Sequence, residues 1–241
     1  MTYIILSAGK GLRLQPLTLN HPKSLYKLDS NTTILQRLVR MIRRYDSEAE
    51  IVVVVGYMYN QIERELEDDN VVFVHNPFYS ATSSMGSLWF AKEYLQRENV
   101  TIINGDIVAS DALLEKVVCL HTDYPYILLD STHKDANKYN VQVQGELVCI
   151  MSNNLTEYTG NYASITKLDA VSSRFLYEQL IQMVNDEMYN LFYEDALVQM
   201  VFENNFELYY KDIKDYQWTE VDCADDLLKA RQIQQTSIIA I

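Results

Sequence analysis

Apolar and polar positions divide the chain into two textures. Up to about residue 122, short apolar runs alternate with stretches at helical spacing. Ile4 to Ser7 predicts a short buried strand, and the β-branched run Ile51 to Val55 predicts a strand covered on both faces. Val71 to His75 predicts a further strand, and Val100 to Asn104 another buried one. Thr33 to Tyr45 places Ile34, Leu35, Leu38, Met41 and Ile42 on one side of a helix, and further helices are expected over 60–66 and 84–96. Strands alternating with helices predict a parallel, doubly wound sheet.

Beyond residue 124, strands cluster. Tyr126 to Asp130, Tyr139 to Gln144 and Leu147 to Ser152 are predicted strands, the last two joined through Gln144-Gly145-Glu146 as a hairpin. Helices are expected over 170–184 and 194–204, short strands over 206–211 and 218–221, and a final helix from Cys223 to about Gln234. No repeat, low-complexity tract or long Pro/Gly linker interrupts the sequence. The expectation is one domain over 1–241, with halves of about 1–122 and 123–241.

Composition narrows the class. Hydrophobic residues make up 48% and charged residues 22% of the 241, the profile of an ordinary globular protein. Apolar runs are strand-length, too short to span a bilayer, and Met1-Thr2-Tyr3 carries no basic flank of a signal peptide. The scattered Cys119, Cys149 and Cys223 have no metal-binding spacing and are expected to be reduced, buried thiols of a cytoplasmic protein. His21, His75, His121 and His133 likewise lack ligand spacing.

The net charge of −13 argues against a nucleic-acid partner, which needs a basic face. Its distribution says more. Residues 1–44 hold eight Lys and Arg against the single acid Asp29, a net +7 that leaves −20 for the rest. A local basic cluster on an acidic chain suits a small polyanion held at one site. Arg37, Arg40, Arg43 and Arg44 are expected only to decorate a helix face.

The most specific feature is Leu6-Ser7-Ala8-Gly9-Lys10-Gly11-Leu12-Arg13-Leu14-Gln15-Pro16-Leu17-Thr18, followed by Pro22-Lys23-Ser24-Leu25. A strand ends here in a turn whose glycines let backbone N–H groups approach phosphate oxygens. Arg13 offers a planar fork and Lys23 a point charge. A Walker A loop would need Ser or Thr after the lysine, where Gly11 stands, and a dinucleotide fingerprint would need a third glycine, where Leu14 stands.

The string resembles the signature of the sugar-phosphate and choline-phosphate nucleotidyltransferases, A-G-x-G-x-R-L-x-P-L-T followed by P-K-x-L, at every fixed position. Within that family the layout is most similar to the small bacterial CTP:phosphocholine cytidylyltransferases. The shared features are the chain length, the stretch ending at Tyr57, Asn76-Pro77-Phe78-Tyr79, Gly105-Asp106, and Glu220-Val221-Asp222. The resemblance implies a Rossmann-like, three-layer fold on a mixed, mostly parallel sheet. It also implies Mg²⁺ as cofactor and pyrophosphate as by-product.

It further implies a nucleotide half ahead of an acceptor half, and it assigns roles. Leu6, Ala8, Gly9, Lys10 and Gly11 would line the nucleotide. Arg13 would bind the departing phosphates, and Lys23 would bridge the α-phosphate and the acceptor phosphate. Asp106 and Asp222 match metal-binding positions; read alone, Asp106 is also a turn residue and Asp222 also a helix cap. Ser83 and Ser84 stand where base recognition begins and equally suit a helix cap, and they replace asparagines of the phosphocholine enzymes. Tyr139, Tyr193, Glu194 and Asp195 match the acceptor pocket and equally suit packing and helix-dipole roles.

The expected reaction is in-line attack of an acceptor phosphate oxygen on the α-phosphorus of a nucleoside triphosphate, with CTP expected. The acceptor would be phosphocholine, phosphoethanolamine or a glycerol phosphate. A sugar 1-phosphate nucleotidyltransferase and a non-catalytic nucleotide-sensing module stay open as alternatives.

Overall fold

The structure is a computed structural model describing residues 1–136 and 138–239, without the side chains of 238 and 239. The first half lays down strands β1 (Thr2–Ser7), β2 (Glu50–Val55), β3 (Val72–His75), β4 (Asn99–Asn104) and β5 (Ile107–Ala109). Between and after them run helices α1 (Ile34–Tyr45), α2 (Tyr59–Glu65), α3 (Ser84–Phe90) and α4 (Asp111–Leu113), the last continuing as a π turn over Leu114–Val118. The second half adds β6 (Tyr126–Asp130), β7 (Asn140–Gln144), β8 (Leu147–Ser152), β9 (Gly160–Asp169), β10 (Tyr209–Asp212) and β11 (Trp218–Glu220). Its helices are α5 (Ala170–Asn185), α6 (Tyr193–Asn204) and α7 (Ala224–Ile239).

One sheet crosses both halves in the order β3-β2-β1-β4-β9-β6-β10-β8-β7, and β7 also pairs with the start of β9. Strands β3, β2, β1 and β4 are parallel; β9 enters antiparallel between β4 and β6. Alternate residues of the central strands point into separate cores. Tyr3, Ile5, Ile51 and Val53 meet Leu35, Leu38 and Ile42 of α1, while Ile4, Val54 and Ile102 meet Leu88 of α3 and Leu176 and Leu180 of α5. The result is the three-layer arrangement of a Rossmann-like fold, helices on both faces of a mixed sheet.

Local signals explain the boundaries. Thr33 caps α1 by accepting the Gln36 amide at 3.3 Å, and Asp169 caps α5 by accepting the Ser172 amide at 2.8 Å. The expected helix over 84–96 breaks at Ala91, after which 92–96 tightens into a 3₁₀ turn. Arg37 corrects the helix-face expectation: it is buried and bonds Gln234, Asp111 and Ser237, tying α1 to α4 and α7. All three cysteines are free, but Cys223 is exposed and Cys149 half-buried, so only Cys119 fits the buried expectation.

Strand β9 is absent from the hydrophobic pattern. Its sequence, Gly-Asn-Tyr-Ala-Ser-Ile-Thr-Lys-Leu-Asp, buries nine of ten positions, several of them polar. Each polar group finds a partner inside. Asn161 donates to the Asn140 side chain at 2.7 Å, and the Lys167 ammonium donates to the carbonyls of Val118 and Leu120. No described helix is long and apolar enough to cross a membrane.

Candidate active site

A cleft of about 280 Å³ opens where the carboxyl ends of β1 and β4 meet the segment before α3. Its lining includes Leu6, Ala8, Gly9, Gly11, Arg13 and Lys23 of the signature, Ser83, Ser84 and Ser87 of the α3 start, and Asp106, Phe192 and Glu220. Ligand clefts of open α/β sheets lie at this end of the strands.

The signature leaves β1 and turns at Gly11, whose φ of 62° lies in the left-handed region that glycine tolerates. Gly9 has no such constraint. A Cβ built there would meet nothing within 4 Å, so no protein neighbour demands the glycine, and its bare backbone faces open cleft. Lys10 instead sits over the Tyr79 ring, 5.7 Å from its centroid, outside the lining.

A small antiparallel pair brings the charged residues together. Strand β11 pairs with β5 so that Glu220 faces Ile107, and the Val221 amide donates to the Asp106 carbonyl at 3.1 Å. Asp106 and Asp222, 116 residues apart in sequence, thereby become neighbours. The Lys23 ammonium reaches into the gap, pairing with Asp106 Oδ2 and, at 2.9 Å, with Asp222 Oδ1. Arg13, largely exposed, contacts Asp222 Oδ1 at 2.8 Å.

Two residues that sequence reasoning did not assign complete the cluster. Lys138 pairs with Asp222 Oδ2 and with Glu220 Oε2, the latter at 2.8 Å. Glu220 Oε1 accepts from Asn104 at 3.2 Å and from Ser164 at 2.9 Å. Ser164 holds φ 55° in the middle of β9, where the pairing with β6 shifts register, and this irregularity aims its hydroxyl at the cleft. Among the described residues, three cations thus face three carboxylates.

Burial and charge compete at each group. Burial alone would lower the Lys23 ammonium, yet Asp106 and Asp222 outweigh it and hold Lys23 above its ordinary value. Burial raises Asp106, and Lys23 only partly offsets it. Asp222 is also raised by burial, but Lys23 and Lys138 pull it down to about 2. Asp222 is therefore a firm carboxylate.

Asp106 does lie in the turn between β4 and β5, as its turn reading expects, whereas the cap reading of Asp222 does not hold. Asp226, not Asp222, accepts the amides of Asp222 and Cys223, at 3.1 and 3.0 Å. Asp106 Oδ1 is buried with no hydrogen-bond partner. Two carboxylates converging on one cation, with a buried oxygen to spare, match the hard oxygen set that Mg²⁺ accepts alongside waters and phosphate oxygens. Ser83 stands at the cap position of α3 without making a capping bond, and the Ser84 hydroxyl accepts the Tyr193 amide at 2.9 Å.

Residues 3–164 match the MobA-like NTP transferase domain. The chain belongs to that family. The chain is 31% identical over 119 residues to the bifunctional protein GlmU of Francisella tularensis, a match over 49% of this chain and 25% of the relative. It thus spans about a quarter of the length of the curated relatives it matches. Its fold superposes on the CTP:phosphocholine cytidylyltransferase LicC of Streptococcus pneumoniae with a TM-score of 0.76 at 19% identity, covering 97% and 98% of the two chains. The inositol-1-phosphate CTP transferase of T. maritima gives 0.76 at 16% identity over 97% and 96%. A Bacillus anthracis structure described as a glucose-1-phosphate thymidylyltransferase gives 0.78 at 18% over 97% and 94%.

The expected acceptor residues separate into two groups. Tyr139 donates to Asp195 at 2.6 Å and meets Phe192 edge-to-face at 6.1 Å, so these three stand together, and of them Phe192 lines the cleft. Tyr193 is wholly buried, its hydroxyl bonded to Tyr162 and Thr166 inside the core, and it does not line the cleft. Glu194 is buried behind Ser84 and pushed up to about 8 by burial, with Asp195 and Glu220 adding to the rise; its Oε2 has no hydrogen-bond partner.

Proposed function

We propose that this protein transfers a cytidylyl group from CTP to a small phosphorylated metabolite, releasing pyrophosphate. The observation that carries the reading is the Lys23 ammonium, held between Asp106 and Asp222 at the floor of a glycine-walled cleft. An acceptor phosphate oxygen attacks the α-phosphorus, the bond from that phosphorus to the bridging oxygen of the β-phosphate breaks, and pyrophosphate leaves. The attacking oxygen is already ionised, so the site supplies positioning and charge neutralisation rather than a general base. Lys23 serves the α-phosphate and the attacking group, and Arg13, exposed at the mouth, serves the departing phosphates. Asp106 and Asp222 would hold Mg²⁺, which supplies positive charge against the triphosphate when bound.

Ser83, Ser84 and Ser87 offer hydroxyls where a base would lie. The cytidylyltransferase folds among the structural neighbours support CTP as donor. Tyr139, Phe192 and Asp195 support an acceptor carrying a primary or quaternary ammonium, such as phosphoethanolamine or phosphocholine. The likeness to the thymidylyltransferase fold favours a second reading, a hexose 1-phosphate acceptor. The test crosses four nucleoside triphosphates with phosphocholine, phosphoethanolamine, glycerol phosphates and hexose 1-phosphates, measuring pyrophosphate and the conjugate. Turnover with CTP and an amino-alcohol phosphate is expected. Nucleotide binding without pyrophosphate release from any pair would leave a nucleotide-sensing module instead.

A further inference from the structure

We propose that Lys138 binds the phosphate of the acceptor and that Glu220 positions it, an inference that rests on the nucleotidyl-transfer reading. An acceptor phosphate monoester approaches the α-phosphorus as a dianion, and the acceptor half must offer it a cation. No Lys or Arg occurs between residues 139 and 166. Lys167, next along the chain, is buried against the carbonyls of Val118 and Leu120. Lys138 alone of the described acceptor-half cations reaches the cleft carboxylates, through Asp222 and Glu220.

The geometry leaves a donor for the ligand. An ammonium carries three N–H groups, and Lys138 uses one on Asp222 and one on Glu220. Glu220 is a fixed anchor, because Asn104 and Ser164 both donate to its other oxygen. The Lys138 side chain is 21% exposed, enough to meet a ligand yet shielded enough to keep its charge effective. Asp222 also contacts Lys23 Nζ at 2.9 Å, so the two ammonium groups share one carboxylate. A phosphate between them would be met by both, Lys23 from the nucleotide side and Lys138 from the acceptor side.

Steady-state kinetics of Lys138→Gln and Lys138→Ala provide the test. Both should raise the acceptor KM by roughly 10- to 100-fold, the order for one charge-assisted hydrogen bond, with the CTP KM little changed. Lys138→Arg should recover part of the loss, and Glu220→Gln should raise the acceptor KM in the same selective way. A ³¹P NMR titration with inorganic phosphate, on protein loaded with α,β-methylene-CTP, reads binding without turnover. It should weaken in Lys138→Gln while nucleotide affinity holds. Unchanged phosphate affinity in folded Lys138→Gln, or equal losses for nucleotide and phosphate, would overturn the assignment. Should wild-type protein turn over no acceptor, the proposed function falls, and the phosphate titration still decides the role of Lys138.

Discussion

Replacing Glu194 by glutamine isolates a carboxyl that the fold buries without a partner for one oxygen. Glu194 lies in the first turn of α6, 5% exposed, with Oε2 unbonded. Burial is the main cause that lifts it from 4.5 to about 8; its own backbone amide pulls the other way, and Asp195 and Glu220 reinforce the rise. Between those two values the unfolded chain has released the proton while the folded protein keeps it. Folded protein then binds more protons than unfolded, so stability falls as pH rises through this window and levels off above about 8. The interval corresponds to an upper bound of roughly 5 kcal/mol. Glutamine matches the neutral carboxyl in shape and does not titrate. Urea unfolding of both proteins at steps from pH 5 to 9 gives the difference directly, because other titrating groups are common to both. The variant should gain on wild type by a few kcal/mol across the window, most of it by pH 8. A difference that stays flat from pH 5 to 9 would show that Glu194 is ionised throughout and that its burial is compensated.

Asp106→Asn keeps the side-chain shape but removes one of the two carboxylates that converge on Lys23. It should stay folded by circular dichroism and lower turnover by roughly 10²-fold or more, and near-normal turnover at limiting Mg²⁺ would remove it from metal binding. Lys167→Met should lower unfolding free energy by roughly 2–4 kcal/mol, because the carbonyls of Val118 and Leu120 lose their buried donor, and an unchanged denaturation midpoint would contradict that bonding.

The parts of the site legible in sequence are those where spacing constrains chemistry. Gly11, Arg13 and Lys23 belong to one short string, so their joint presence is specific and the fold brings all three to the cleft. The acceptor side has no such string. Lys138 is a lone lysine in a polar stretch, and its importance comes only from the pairing that brings Glu220 and Asp222 beside it. Tyr193 was legible by a different signal. With Ala196, Leu197 and Met200 it forms an i, i+3, i+4, i+7 stripe, and all four are buried on α6. Strand β9 was hidden because its Asn, Ser, Thr and Lys residues are satisfied by internal bonds rather than by water, which erases the alternation that marks a half-buried strand.

The basic segment at the start of the chain also changes meaning once its side chains are followed. Of its eight cations, Arg13 and Lys23 enter the cleft cluster, whereas Arg37 is an internal tie, Arg40 bonds Asp69 at 3.0 Å and Arg43 bonds the carbonyls of Ser47, Ala49 and Asn70. The local excess of positive charge therefore does not reach the site intact. Within the cluster, Arg13, Lys23 and Lys138 are matched by Asp106, Glu220 and Asp222, so the described charges sum to zero. A neutral cluster is a weak trap for a triphosphate, because the charge of each cation is already offset by a carboxylate. A divalent cation on Asp106 and Asp222 would reverse that balance, taking over the two carboxylates that Lys23 now satisfies and leaving its ammonium free for phosphate oxygens. The same carboxylates thus suit two occupants: an ammonium that keeps them paired, and a metal ion whose arrival would turn a balanced cluster into a positive one.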